Sequence, residues 1–363
     1  MLPIQDPAGP RRSVDSLPVP LPQILKQVSR SFALSLGVLP HSLRGPLGLA
    51  YLLARAADTI ADTRIVPRLE RLRSLDLVRS ALDSPVHAER SRIADALTGP
   101  QRIPAERELL LQLPACYAAL ARLPEADRER IRRVVLLLIE GMQADLRTFA
   151  GEDETELAAL ESRPDLDRYT YYAAGCVGEF WTEMAMAHRP ACRGWDAHVM
   201  RRRGVRFGQA LQMTNVLRDL AQDLRIGRCY VPRQDLATLG LTPTDLLRPT
   251  ALARLRPLLD DLVSTTLDAY REAWEYTRAI PRGEIRLRLA CAWPMLIGLR
   301  TLRRVRETDD LLNPAVRVKV PRTAVYRILV RSGMTVWSNA ALDGYYRALR
   351  RPLDEGLAPR MRE

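Results

Sequence analysis

Two pairs of aspartates, each one helical turn apart, are the most chemistry-bearing feature of this chain: Asp58 with Asp62, and far downstream Asp219 with Asp223. Residues four apart on an α-helix differ by about 40° in azimuth and about 6 Å in rise, so each pair shares a face. Gln212 and Asn215 precede Asp219 at steps of three and four, which extends the second pair into a polar stripe. Like charges at that spacing destabilise an isolated helix. Both pairs also sit among strong helix formers, Ala50 to Ala57 before the first and Phe207 to Leu220 around the second. Carboxylates beside a core cannot stay charged and unpaired without a large desolvation cost. A bound cation resolves that conflict. Magnesium prefers oxygen ligands and is held by one or two carboxylates together with substrate phosphates, so the two pairs predict a cleft that grips a diphosphate through magnesium, with manganese as the alternative ion. One Asp-x-x-x-Asp alone reads as a solvated helix face; the second pair, with Gln212 and Asn215, is what favours a site.

The elements that must position these residues read as helical. Leu, Ala and Arg dominate the 363 residues, Phe occurs only four times, and Val-Ile runs bounded by turn signals are few, which predicts an all-α protein. The length suffices to bury a core with a cavity in it. Candidate helices run from Leu21 to Leu36, Leu43 to Thr63, Ile65 to Leu82, Glu89 to Leu97, Ala105 to Leu123 and Ala126 to Ala150. Further ones run from Leu166 to His188, Asp196 to Leu224, Thr244 to Tyr276 with a break near Pro257, Gly283 to Glu307, and Arg322 to Leu349. No linker longer than about a dozen polar residues interrupts them, so residues 23–350 read as one domain. Residues 1–22 read as a flexible proline-rich arm and residues 351–363 as a tail.

Composition narrows the partners. The formal net charge is +12, and Lys26 and Lys319 are the only lysines. Arginine's planar fork suits phosphate oxygens, and a basic surface attracts nucleic acid, an anionic membrane or a diphosphate. No zinc-finger spacing, aromatic RNA-binding run or basic tail is present, so nucleic acid is not expected. The five cysteines, Cys116, Cys176, Cys192, Cys229 and Cys291, lack any Cys-x-x-Cys spacing and point to a reducing compartment. The four histidines form no His-Glu-x-x-His motif, and no Gly-x-Ser-x-Gly elbow occurs. No run approaches the roughly 20 apolar residues that span a bilayer, so membrane contact is expected to be peripheral.

Four blocks, in order, resemble the squalene and phytoene synthases, from about Ser29 to Val320. They are Ser29-Arg30-Ser31-Phe32; Arg55-Ala-Ala-Asp58-Thr-Ile-Ala-Asp62; Tyr169-Thr-Tyr171-Tyr172-Ala-Ala-Gly175-Cys-Val177-Gly178; and Gln212 through Asp223 followed by Gly227-Arg228-Cys-Tyr230-Val-Pro232. The resemblance implies a single-domain isoprenoid-synthase helical fold around a deep central cavity, in which two isoprenoid diphosphates are joined head to head. It places Asp58, Asp62, Asn215, Asp219 and Asp223 at metal-binding positions, with Asp58 and Asp219 acting in catalysis. It places Arg30, Ser31, Arg55, Gln212, Asn215, Arg218 and Arg228 on diphosphate oxygens, Ser31 having a turn cap as its alternative. Tyr169 matches a tyrosine that assists proton removal, with Tyr172 close by; packing is the alternative for both. Phe32, Val177, Gly178 and Leu211 are placed at the cavity wall, Phe32 having core filling as its alternative, while Gly175 and Gly178 also suit close helix approach. The chemistry agrees, because breaking an allylic carbon–oxygen bond leaves charge on diphosphate that metals and arginines stabilise, and the carbocation needs a dry pocket.

Within that family the chain leans to the squalene branch. Arg55-Ala-Ala-Asp58-Thr59, Leu211-Gln-Met-Thr-Asn215, Cys291-Ala-x-Pro294 and Val318-Lys319-Val320 resemble squalene synthases, which condense two farnesyl diphosphates through presqualene diphosphate and reduce the product with NADPH. Lys319 and Arg322 are then the cofactor-binding candidates. No Gly-x-Gly-x-x-Gly fingerprint is present, so NADPH would bind without a Rossmann domain. Phytoene and dehydrosqualene synthases, which omit the reduction, are the alternatives, followed by a non-catalytic helical protein that binds membranes or a partner. Thr63 and Ala290 depart from the eukaryotic enzymes, and no C-terminal anchor is seen; a bacterial enzyme acting from the cytoplasm at the membrane surface is the expectation.

Overall fold

A computed structural model describes residues 17–29, 32–83, 98–99 and 101–355. The candidate helix Glu89 to Leu97 therefore falls outside the described residues, as do Arg30 and Ser31. In chain order the helices are α1 (Leu21–Val28), α2 (Ala33–Val38), α3 (His41–Asp62), α4 (Arg68–Asp83), α5 (Pro104–Leu111), α6 (Leu113–Ala121), α7 (Glu125–Thr148), α8 (Arg163–Thr170) and α9 (Cys176–His188). They continue with α10 (Ala197–Arg225), α11 (Arg233–Thr238), α12 (Leu252–Ala279), α13 (Ile285–Glu307), α14 (Arg322–Thr335) and α15 (Asn339–Asp354). Among the described residues the only sheet is a two-residue parallel ladder, β1 (Ala158–Ala159) on β2 (Arg228–Cys229). The fold is all-α, in one domain.

Apolar periodicity explains the assembly. Helix α3 buries Leu49, Leu52, Leu53, Ala56, Ala57 and Ile60 and packs on α7, whose buried stripe is Ile131, Val134, Val135, Leu138, Ile139 and Leu146. Helix α10 is the hub, packing on α9, α12 and α13. One core gathers around α3, α6 and α7, and a second around the C-terminal half of α10 with α12, α13 and α15.

Several boundaries differ from the sequence expectation for physical reasons. The chain enters α1 at Leu21, which is fully buried, so the last two residues assigned to the arm already belong to the fold. At the other end, α15 runs to Asp354 and buries Leu353, so the assigned tail begins inside a helix. The expected Arg322–Leu349 helix is two: Ser338 caps α15 by accepting from the Ala341 amide, which ends α14. Pro257 breaks nothing, because Leu255, Leu258 and Leu259 around it are buried and offset the lost backbone hydrogen bond.

Helices α8 and α9 are joined by one π-helical turn, Tyr171–Gly175. The extra residue shifts the register, and such turns cluster at functional sites. This segment lies against α10 through glycines: a Cβ on Gly178 would sit 1.8 Å from the Gly204 carbonyl oxygen, and one on Gly208 would sit 2.1 Å from that of Ala174. Gly178 thus serves close backbone approach. Gly178→Ala is predicted to lose about 2 kcal/mol or more of stability through overpacking, whereas Gly37→Ala, inside α2 with open space around it, should hold or raise the wild-type midpoint; chemical denaturation followed by circular dichroism compares the two.

Candidate active site

The two aspartate pairs lie at the C-terminal ends of their helices, and the chain ties those ends together. Asp58 and Asp62 occupy the last turn of α3, and Asp219 and Asp223 the last two turns of α10. Just beyond them, Arg64 Nη2 donates to the Ile226 carbonyl at 2.7 Å. Gly227 then turns the chain with a φ of +82°, a conformation glycine adopts without strain. The following residues pair with β1, with Ala158 N donating to Gly227 O at 3.1 Å and Leu160 N to Cys229 O at 3.0 Å. That short ladder holds Arg228 and Tyr230 at the rim.

The result is a cleft of about 620 Å³ lined from both sides. Helix α3 contributes Asp58 and Asp62; α10 contributes Gln212, Asn215, Arg218, Asp219 and Asp223. Tyr169 and Tyr172 come from the α8 end and the π turn, Arg228 and Tyr230 from the ladder, and Leu138, Met142, Asp145 and Phe149 from α7 and its end.

Electrostatics at this cleft favour a cation. The carboxylates sit at the negative ends of two helix dipoles. Burial, reinforced by Asp219, pushes the Asp223 carboxyl up to about 7. Neighbouring arginines neutralise part of the charge: Arg218 Nε donates to Asp219 Oδ1 at 2.8 Å, Arg55 pairs with both Asp58 and Glu106, and Arg228 reaches Asp145 at 3.0 Å. Among the described residues no three His, Cys, Asp or Glu side chains form a protein-only metal cage. The oxygen donor set of Asp58, Asp62, Asn215, Asp219 and Asp223 fits magnesium, which completes its shell with water and phosphate oxygens.

A second group lies deeper. Tyr169 is half-buried, accepts from Gln212 Nε2 at 2.9 Å, and stacks on Tyr230 with ring centroids 4.3 Å apart. Tyr230 Oη in turn donates to Asp145 at 3.1 Å. Burial, with Asp145 nearby, raises the Tyr169 phenol, so it stays protonated. Burial also raises Asp145, against the pull of Arg228. Tyr172 is more exposed and donates to Glu140 at 3.0 Å.

Other expected site residues stand elsewhere. Arg55 does not line the cleft but holds Asp58 from behind. Phe32 is half exposed and lies against Tyr51, with centroids 5.9 Å apart. Val177 packs on the N-terminal core, Leu211 on the C-terminal one, and Gly178 faces Gly204, so none of the four expected wall residues lines this cleft. Lys319 and Arg322 are exposed and outside it. Their segment does start close by, because Gln222 donates to Pro314 O at 3.4 Å and Val316 O at 3.1 Å. All five cysteines are buried free thiols; burial pushes Cys116, Cys176, Cys192 and Cys229 up to about 12, which leaves them inert.

Sequence reasoning missed Asp145 and gave Tyr230 no role. A signal existed for Asp145: it lies seven residues after Leu138 and three after Met142, a carboxylate on the apolar stripe of α7.

Residues 25–324 match the family model described as squalene/phytoene synthase. The chain belongs to the squalene/phytoene synthase family. Members of this family are prenyltransferases of isoprenoid biosynthesis acting on isoprenoid diphosphates. The chain is 25% identical to a squalene synthase of Eremothecium gossypii over 85% of its own length and 66% of that protein. It is 26% identical to a presqualene diphosphate synthase of Zymomonas mobilis, covering 85% of this chain and 90% of that one. A bifunctional lycopene cyclase/phytoene synthase of Colletotrichum graminicola is 28% identical over 71% of this chain, which spans only 41% of that protein. The fold is that of a ligand complex of TcSQS, with a TM-score of 0.75 at 23% identity over 93% of this chain and 91% of the other. It is also that of squalene synthase HpnC from Alicyclobacillus acidocaldarius, with a TM-score of 0.55 at 24% identity over 82% and 98%.

Asp223 titrates near 7 in the fold against 3.8 unfolded, so without a cation its ionisation costs stability as pH rises from about 4 through 7. A divalent cation offsets that cost, so magnesium-induced stabilisation should be full above pH 7 and fade below it; thermal melts at pH 6 and pH 8 check this, and a pH-independent shift would contradict it. Asp145→Asn leaves Arg228, only 15% exposed, without its carboxylate; a loss of about 3 kcal/mol is expected in denaturant titration.

Proposed function

We propose that this prenyltransferase is a squalene synthase, condensing two farnesyl diphosphates head to head through presqualene diphosphate and reducing the product with NADPH. The observation that supports it most is the convergence of Asp58 and Asp62 with Asp219 and Asp223 on a single cleft that also holds Arg218, Arg228 and Tyr169. Magnesium bound at these carboxylates would act as a Lewis acid on the departing diphosphate. The chain's own residues do the rest. Arg218 and Arg228 offer guanidinium forks to diphosphate oxygens at the mouth. Gln212 orients the Tyr169 hydroxyl, which stays neutral in its half-buried setting and stands ready to guide a proton from the reacting carbon. Tyr230 and Asp145 fix the Tyr169 ring from behind. Leu138, Met142, Phe149 and Val216 give the cleft an apolar lining that keeps water from the cation.

A second reading, in which the reaction stops at presqualene diphosphate, is favoured by the placement of Lys319 and Arg322 outside the cleft. The experiment is product analysis of purified protein with farnesyl diphosphate and magnesium, with and without NADPH. Squalene formed only with NADPH supports the proposal. Presqualene diphosphate or dehydrosqualene regardless of NADPH contradicts the reductive step, and turnover of the C20 diphosphate alone points to a phytoene-type enzyme. Asp58→Asn and Asp219→Asn should each lower kcat about 100-fold or more, the scale of removing a preorganised charge stabiliser.

A further inference from the structure

Helix α14 rests on the fold through one face only. Ile328 and Ser332 are buried there, and Trp293 Nε1 of α13 donates to Ser332 Oγ at 2.9 Å. The opposite face carries Tyr326, Val330 and Met334 at four-residue steps, with Trp337 just past the helix end. They are 65%, 62%, 69% and 63% exposed. At about 100° per residue Tyr326, Val330 and Met334 fall within an arc of about 80°, and Trp337 follows two residues past the last helical residue, Thr335. Single exposed hydrophobics are ordinary, but a contiguous stripe of four large ones, two of them Tyr and Trp, marks an interaction surface.

The charge around the stripe says what covers it. From Leu311 to Leu342 the sequence has no Asp or Glu, yet it carries Arg317, Lys319, Arg322, Arg327 and Arg331. By helical azimuth Arg322 flanks the stripe on one side and Arg327 and Arg331 on the other. Arg331 is braced over the Tyr345 ring at 4.6 Å. Arg327 also joins Arg300, Arg303 and Arg304 around a pocket of about 270 Å³, whose one acidic lining residue, Glu307, is already paired with Arg303 at 2.6 Å. Aromatic and aliphatic side chains on one face, with arginines beside them, is the pattern of a helix that lies in the plane of an anionic bilayer. A second copy of this chain would bring these cations face to face across a symmetric interface, which disfavours it. Among the described residues no helix is long and apolar enough to cross a membrane, so contact of this kind is in-plane.

We propose that α14 and Trp337 form a docking surface for an anionic lipid bilayer, with Tyr326, Val330, Met334 and Trp337 entering the interfacial layer and Arg327 and Arg331 holding lipid phosphates. The proposal stands apart from the catalytic reading, since it uses none of the residues lining the aspartate cleft.

The test is cosedimentation of the full chain with vesicles of phosphatidylglycerol and phosphatidylcholine, and with vesicles of phosphatidylcholine alone. Binding is expected to the first, to weaken as salt is raised, and to be weak on the second. The triple substitution Val330→Ser, Met334→Ser, Trp337→Ser, all at exposed positions, should cut binding about tenfold or more, with unchanged turnover of soluble substrate. Arg327→Glu and Arg331→Glu should each cost about fivefold or more. Absence of binding to anionic vesicles at low salt overturns the proposal, as does binding that both sets of substitutions leave intact. Sedimentation velocity covers the remaining occupant: a dimer lost in the triple variant, with no vesicle binding, assigns the stripe to self-association and overturns the membrane surface.

Discussion

Negative charge concentrated at the joined C-terminal ends of two helices is the constraint on which the rest of this structure depends. Asp58 and Asp62 end α3, Asp219 and Asp223 end α10, and the Arg64 to Ile226 hydrogen bond keeps those ends together. The helix dipoles worsen the repulsion, and burial lifts Asp223 to about 7. For stability alone an apolar side chain at Asp223 would avoid the desolvation that lifts its carboxyl. Strain of this kind at a cleft is the mark of a site completed by what it binds. Arginines, a divalent cation and diphosphate oxygens are the partners whose charges fit.

The surrounding architecture exists to hold that conflict in place. Glycine contacts between the π turn with α9 and α10, at Gly178 with Gly204 and at Gly208 with Ala174, let backbones approach where side chains would force them apart. The extra residue of the π turn lets α8 and α9 run on while Tyr169 and Tyr172 reach the cleft. The two-residue ladder is too short to count as a sheet in stability, yet it fixes the loop that carries Arg228 and Tyr230. Behind the cleft, Asp145 serves two functions at once, pairing with Arg228 and accepting from Tyr230. The aspartate-lined mouth and the tyrosine pair are therefore mechanically one unit.

The aspartate pairs, Gln212 and Asn215 were legible in the sequence because helical periodicity is local: a spacing of three or four fixes a shared face before any tertiary contact is known. The all-α fold was legible for the same reason. Asp145 was not, since its role comes from contacts with Tyr230 and Arg228 some 85 and 83 residues away. The π turn was hidden because Tyr171–Gly175 reads as ordinary helix, and the register shift is imposed by packing against α10. Phe32, Val177 and Leu211 share the composition of a cavity wall and of a packed core alike, and the structure places Val177 and Leu211 against cores and Phe32 toward solvent. Lys319 carried a charge but no periodic context, so nothing in its neighbours could say how far it would stand from the cleft.

The most direct test of the central claim is a double-mutant cycle on the affinity for inorganic pyrophosphate in the presence of magnesium, read by titration calorimetry on wild type, Asp58→Asn, Asp219→Asn and the double variant. If both helices grip one metal-bound diphosphate, each single change should weaken binding and the pair should be non-additive by about 1 kcal/mol or more. Additivity within about 0.5 kcal/mol, or a single variant that binds as wild type does, would contradict the shared site.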